Sequence, residues 1–166
     1  MEPQNRYKSV HNHPTNGCFG CGPKNGSGLQ MKILTDETEV VSFLTVPPHL
    51  CGYNRIVHGG VVATILDEIM GWAGIYLLKK IVLTRTMTID FIKALRIGDD
   101  LTVKGRILNH GDRREVHIEG AIHDGSQTLC ARSEGTFALL TPKMAVRMGV
   151  MTAEELALLF DPIMER

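Results

Sequence analysis

An α+β fold, a curved antiparallel sheet wrapped around one long central helix, is predicted by this sequence. Three observations carry the prediction. One long helical pattern covers residues 59–79 and is apolar over half its circumference. Strand-like runs flank it, two before and four after, each closed by turn residues. Consecutive hairpins build an antiparallel sheet with one face to cover, and the long helix is the obvious cover.

The elements follow in order. Residues 1–17 are polar and read as a flexible, irregular segment. Residues 17–28 form a glycine-rich turn. Residues 29–35 and 40–46 read as strands joined by Asp36-Glu37-Thr38-Glu39, and Pro47-Pro48 ends the second. A loop over 49–57 leads into the helix. The later strands are 83–93, 100–109, 115–124 and 127–140. They are separated by Arg96-Ile97-Gly98-Asp99, Asn109-His110-Gly111-Asp112 and Asp124-Gly125-Ser126. Alternation is visible in Thr86-Met87-Thr88-Ile89-Asp90-Phe91. A sheet of five or six strands is expected. Residues 18–141 therefore form one domain, and 142–166 a helical appendage. In the appendage Thr152-Ala153-Glu154-Glu155 is a capping box ahead of Leu156, Leu158, Leu159 and Phe160. Such a short helix needs a surface to lie on.

Composition narrows the function classes. At 166 residues the chain supports one sizeable core, and 43% hydrophobic with 22% charged residues argues against disorder or a coiled coil. Net charge is zero, so no basic excess points to nucleic acid. No apolar run reads as membrane-spanning and the N-terminus has no signal-peptide core, so a cytoplasmic protein is expected. Cys18-x-x-Cys21 has the spacing of a zinc or redox pair, but no second such pair exists and only His11 and His13 lie near. It is read as part of a turn whose thiols pack against the body, with no metal and no cofactor expected.

The most informative stretch is residues 56–74, IVHGGVVATILDEIMGWAG, a His-Gly-Gly turn running into the helix. Val61, Val62, Ile65, Leu66, Ile69, Met70, Trp72, Ala73, Tyr76 and Leu77 share one half of the helical wheel. The other half collects Ala63, Thr64, Asp67, Glu68, Gly71, Gly74, Ile75 and Leu78. A solvated face would carry Lys, Glu and Gln; this one is small or apolar around two acids. Glycine inside a helix costs about 1 kcal/mol relative to Ala, so the two glycines call for a packing or functional reason. Amides at the helix start, Gly59 or Gly60, suit an oxyanion. Asp67 suits activation of water, or direct attack.

The run V-H-G-G-V-V-A-T-I-L-D-E resembles the hotdog-fold thioesterases, especially the phenylacetyl-CoA thioesterase type. L-T-R-T-M-T-I-D-F, C-F-G-C-G-P-K-N-G-S-G-L and E-G-T-F-A-L are similar to the same family, so the resemblance runs from about Cys18 to Leu140. It implies an acyl-CoA thioesterase. Asp67, nine residues after His58, takes the place of the family's catalytic carboxylate. Thr84, seven residues before Phe91, takes the place of its Ser or Thr. Several members have an Asn or Gln six residues before the His. Here that position is Gly52; either nearby Asn54 substitutes or the role is missing. His58 is expected to brace the turn. Glu68 is a secondary candidate, for substrate binding or as the structural partner of an arginine. Arg85, Arg113 and Arg114 are candidates for holding CoA phosphates. The resemblance also implies a homodimer or homotetramer, with the site between subunits. Other readings are a non-catalytic acyl-CoA-binding hotdog protein, a hotdog dehydratase or hydratase, and a small metal-binding domain.

Overall fold

Helix α1, Gly59–Leu78, runs across one face of a seven-stranded sheet in a computed structural model that describes residues 6–110 and 114–164. The strands are β1 (Lys8–Ser9), β2 (Leu34–Thr35), β3 (Val40–Thr45), β4 (Ile81–Phe91), β5 (Asp100–His110), β6 (Glu115–His123) and β7 (Leu129–Leu140). All neighbours pair antiparallel, in the order β1-β2-β3-β5-β6-β7-β4. The seventh strand is β1, inside a segment expected to be irregular. It pairs with β2, and Val10 behind it is buried.

The helix buries the face that the wheel assigns to the core, except that Leu77 is only half-buried. It is also long and apolar enough to cross a membrane, contrary to the reading of the sequence. Asp67 and Glu68, two acids in a twenty-residue helix, do not lower its hydropathy enough. Here the helix packs on the sheet, with Ile65, Leu66, Ile69 and Met70 fully buried.

Small residues set how closely helix and sheet approach. Gly105 on β5 lies opposite Gly120 on β6, and Gly120 opposite Ser133 on β7, giving a shallow seam across three strands. A Cβ at Gly105 would come within 2.6 Å of the Ile69 carbonyl oxygen. The helical glycines differ from each other. A Cβ on Gly74 would meet Val82 at 2.7 Å, so Gly74 lets β4 close onto the helix, whereas one on Gly71 would meet nothing within 4 Å.

The far end of α1 is tied down. Lys79 caps it in the left-handed conformation, donates from Nζ to the Ile163 carbonyl at 2.9 Å and lies over the Tyr76 ring. Tyr76 Oη donates to Glu37 at 2.8 Å. Ile163 belongs to the tail, which forms three short helices, α2 (Pro142–Arg147), α3 (Ala153–Leu159) and α4 (Asp161–Met164). The Thr152–Glu155 capping box opens α3. Leu156 and Phe160 find their surface on Ile81 and Leu140. One expected strand is shortened: of residues 29–35 only Leu34–Thr35 is a ladder strand. The Leu29 and Met31 amides donate instead to Phe19 and Gly20, so this stretch pairs with the glycine-rich turn.

Candidate active site

The helix start is built by a tight reversal. Cys51 and Val57 bridge, and Asn54 and Arg55 between them have φ of 27° and 67°. Asn is among the residues that tolerate this region best. His58 then takes an extended conformation and caps the helix; its Nδ1 accepts the Gly60 amide at 2.9 Å. The His58 carbonyl accepts the Val61 and Val62 amides. Gly60 therefore has no amide to offer a substrate. The Gly59 amide has no protein acceptor among the described residues, and Gly59 is exposed. It opens onto a cleft of about 380 Å³ lined by Tyr53, His58, Val62, Phe91 and Ile92. The exposed N–H and the positive end of the helix favour an oxygen bearing negative charge there.

Asp67 lies on the half-buried face, further along the helix. Thr84 Oγ1 donates to its Oδ1 at 2.6 Å, a length typical of a hydroxyl bound to a carboxylate. The second oxygen, Oδ2, accepts no hydrogen bond among the described residues, and Asp67 lines a second cleft, about 220 Å³, with Glu68, Gly71, Trp72, Leu83 and Thr84. Residue 71 thus needs to be small for an open space, not for a neighbouring protein atom.

A β-bulge brings Thr84 to this place. The β4–β7 register slips between Thr84 and Thr86. Val82 and Thr84 reach the helix before the slip, and Met87, Ile89 and Phe91 pack on the helix side after it. A regular strand would put residues seven apart on opposite faces. The extra residue, Arg85, returns both Thr84 and Phe91 to the helix side.

The two clefts share no lining residue. Gly59 and Asp67 are eight residues apart, about 12 Å along the axis at 1.5 Å per residue. One carbonyl cannot touch both groups of one chain. Both clefts border β4, which among the described residues pairs only with β7 and leaves its other edge open. Along that edge Phe91 is 60% and Ile92 53% exposed, and Tyr53, at the first cleft, is 88% exposed. A larger cleft, about 780 Å³, lies by Arg6, Tyr7 and the ends of β3 and β5 and holds none of the candidate residues.

The remaining candidates are elsewhere. Asn54 lines neither cleft. Arg85 is ion-paired with Glu115, and its guanidinium is committed to that carboxylate. Arg114 lines neither cleft, and its carbonyl accepts the Leu139 amide. Arg113 lies outside the described residues. Among the described residues no arginine pairs with Glu68. It accepts from Trp72 Nε1 at 3.1 Å and from Cys18 Sγ at 3.4 Å. The Glu68–Trp72 bond spans four residues of helix, a spacing that reading the sequence could have flagged. The approach of Cys18, fifty residues away, had no local signal.

Comparison with known proteins agrees with this architecture. Residues 54–131 match the family model of the thioesterase superfamily. No curated protein matches the chain. Among solved structures, a thioesterase superfamily protein is similar at 23% identity and a TM-score of 0.69, over 74% of this chain and 60% of that one. The chain thus spans less than two thirds of that relative's length. Smu.793 from Streptococcus mutans UA159, solved with acetyl-CoA bound, is 22% identical with a TM-score of 0.62, over 66% of this chain and 88% of that one. The E. coli PaaI protein, from the phenylacetic acid degradation operon, is 22% identical with a TM-score of 0.62, over 68% and 81%. The fold of this chain is the hotdog fold.

Proposed function

We propose that this protein is an acyl-CoA thioesterase whose site is completed by a second copy of the chain. The observation that carries the reading is the separation of the two half-sites. One helix presents an unpartnered N–H at its start and a hydroxyl-bonded carboxylate about 12 Å further on, and both flank an open apolar sheet edge. A long edge with exposed Phe91 and Ile92 is a surface proteins cover. A two-fold pairing there sets Asp67 of one subunit against the Gly59 amide of the other.

The chemistry then follows. Thr84 holds Oδ1 of Asp67, and Oδ2 takes a proton from water. The resulting hydroxide attacks the thioester carbonyl, and the new oxyanion accepts the Gly59 N–H. The tetrahedral adduct collapses, and the departing CoA sulfur recovers the proton from Asp67. Attack by Oδ2 itself, through a mixed anhydride, uses the same groups. The acetyl-CoA bound to the S. mutans protein supports the substrate class. The PaaI likeness makes aromatic acyl-CoAs the first to assay.

The test is complementation. Gly59 is the first helical residue, where Pro keeps the helix and removes only the N–H. Chains carrying Gly59→Pro or Asp67→Asn should each release no CoA thiol above background. Refolded together at equal amounts, they should recover about a quarter of wild-type activity, because half the dimers are mixed and each has one intact site. No recovery with subunit exchange verified by mass spectrometry sinks the shared site. CoA binding by the wild type without thiol release from any acyl-CoA leaves a binding protein instead.

The hydroxyl has its own test. Thr84→Val keeps the shape and should lower kcat about tenfold or more, as expected for loss of a group that orients a base. Thr84→Ser should stay within a few-fold of wild type. If Val is active and Ser is not, Thr84 acts by packing.

A further inference from the structure

The glycine-rich turn before β2 carries chemistry that the thioesterase reading does not use. Cys18, Cys21 and Glu68 come together there, with Sγ, Sγ and a carboxylate oxygen all within 4.8 Å of one another. Cys21 is buried; Cys18 and Glu68 are partly buried. Three groups able to bear negative charge thus meet, and among the described residues no ion pair reaches Glu68. Proteins keep such sets when a proton or a cation resolves them.

We infer that Cys18, Cys21 and Glu68 bind a soft divalent cation, Zn²⁺ first, which clamps the N-terminal turn to the middle of helix α1. The geometry favours a cation. With metal–sulfur bonds of about 2.3 Å and metal–oxygen bonds of about 2.0 Å, a tetrahedral edge between them is about 3.5 Å long. Cys18 Sγ lies 3.4 Å from one oxygen of Glu68 and 3.7 Å from the other.

Each sulfur also receives an amide N–H, as metal-bound sulfurs do. The Gly20 amide donates to Cys18 Sγ at 3.3 Å, and the Asn16 side-chain amide donates to Cys21 Sγ at 3.6 Å. Trp72 Nε1 holds the other oxygen of Glu68, as outer partners of metal ligands do. Glycine is required where the turn folds back: a Cβ on Gly22 would lie 2.4 Å from the Cys18 nitrogen, and one on Gly20 would run into Glu68. Proton affinities differ across the cluster: the hydrogen bond to Cys18 and burial push the Cys21 thiol up. A hydrogen bond from Cys21 and the Gly20 and Cys21 amides hold the Cys18 thiol well below the usual thiol range. Burial, and then the charge of Cys18, raise the Glu68 carboxyl to about 7. Two thiolates and a carboxylate suit Zn²⁺ and leave one position for water. The spacing of residues 18 and 21 suggests zinc but supplies only two ligands; the third comes from α1, fifty residues on from Cys18.

The inference stands apart from catalysis, and its test reads metal. The full-length chain, purified without chelator or affinity histidines, should contain about one Zn²⁺ per chain by mass spectrometry. After Zn²⁺ removal under reducing conditions, Co²⁺ alone should produce a thiolate-to-cobalt charge-transfer band of near-unit stoichiometry. Cys18→Ser and Cys21→Ser should lose the band, and Glu68→Gln should weaken Co²⁺ binding at least about tenfold. Circular dichroism of each variant separates loss of ligand from loss of fold, and Trp72→Phe, which keeps all three ligands, should retain the metal. Absence of metal together with absence of a Co²⁺ band overturns the site. So does a band that survives both serine variants, or a Cys18–Cys21 disulfide in the isolated, metal-free protein.

Discussion

Replacing Asp67 by Asn should lower acyl-CoA turnover at least about a hundredfold while leaving the melting temperature within a degree or two of wild type. The large effect is expected because Asn keeps the size and the oxygen that Thr84 Oγ1 reaches at 2.6 Å, but can neither take a proton from water nor attack. The small melting shift is expected because Asp67 is only partly buried and faces an open cleft. Steady-state thiol release and thermal melting on the same preparation decide it. Near wild-type hydrolysis by the folded Asn chain would remove Asp67 from the reaction. Glu68→Gln is the matched comparison, since its carboxylate is bonded to Cys18 and Trp72, whereas that of Asp67 is held by Thr84.

The largest stability effect should come from one methyl group at Gly105. Its Cβ would meet the Ile69 carbonyl oxygen at 2.6 Å and the carbonyl carbon at 3.0 Å. These are backbone atoms of a helix tied at its far end to the tail and to Glu37, so they have little room to yield. Overpacking of this kind costs about 2–3 kcal/mol, which in a domain of this size is a fall in Tm of about 4–12 °C. Gly120→Ala is the discriminating control, because its nearest atoms are the side chains of Met70 and Leu66 at 3.1 and 3.2 Å. Those side chains can rotate aside, so a smaller loss is expected. Gly71→Ala, which meets nothing, should be neutral or slightly stabilising. Equal melting of the Gly105 and Gly120 variants would show that the helix is free to ride up on the sheet.

Much of the architecture was legible because its signals are local and periodic. The wheel of α1 named the buried face, and the turn residues placed four long strands to within two residues at most ends. The pairing of Asp67 with Thr84 came from motif spacing, but the physical route did not. Seven residues from Thr84 to Phe91 is an odd count, and only the bulge at Arg85 reconciles it with one face. A bulge has no side-chain signature in Thr84-Arg85-Thr86. Gly59 and Gly60 look equivalent in sequence, yet His58 Nδ1 takes one of their amides. That choice depends on a rotamer. Glu68 could not be assigned from the wheel, which gives an angle from the helix axis and says nothing about which loop lies there. Arg85 looked available because Glu115, two strands distant, is thirty residues away in the chain.

The unequal ends of helix α1 carry a thermodynamic consequence. At Lys79 the last turn is fastened to the C-terminal tail and to the β2–β3 turn, so freeing it means breaking contacts across the whole molecule. At Gly59 the helix start is exposed beside open space under its His58 cap, and burial begins only at Val61. Fraying there is a small, local excursion, whereas release at the other end approaches the free energy of global unfolding. The hydrogen-bonding group offered to a ligand thus sits where the chain opens at least cost. Admitting and releasing a bulky ligand draws on the cheap end of the stability spectrum and leaves the cooperative core intact.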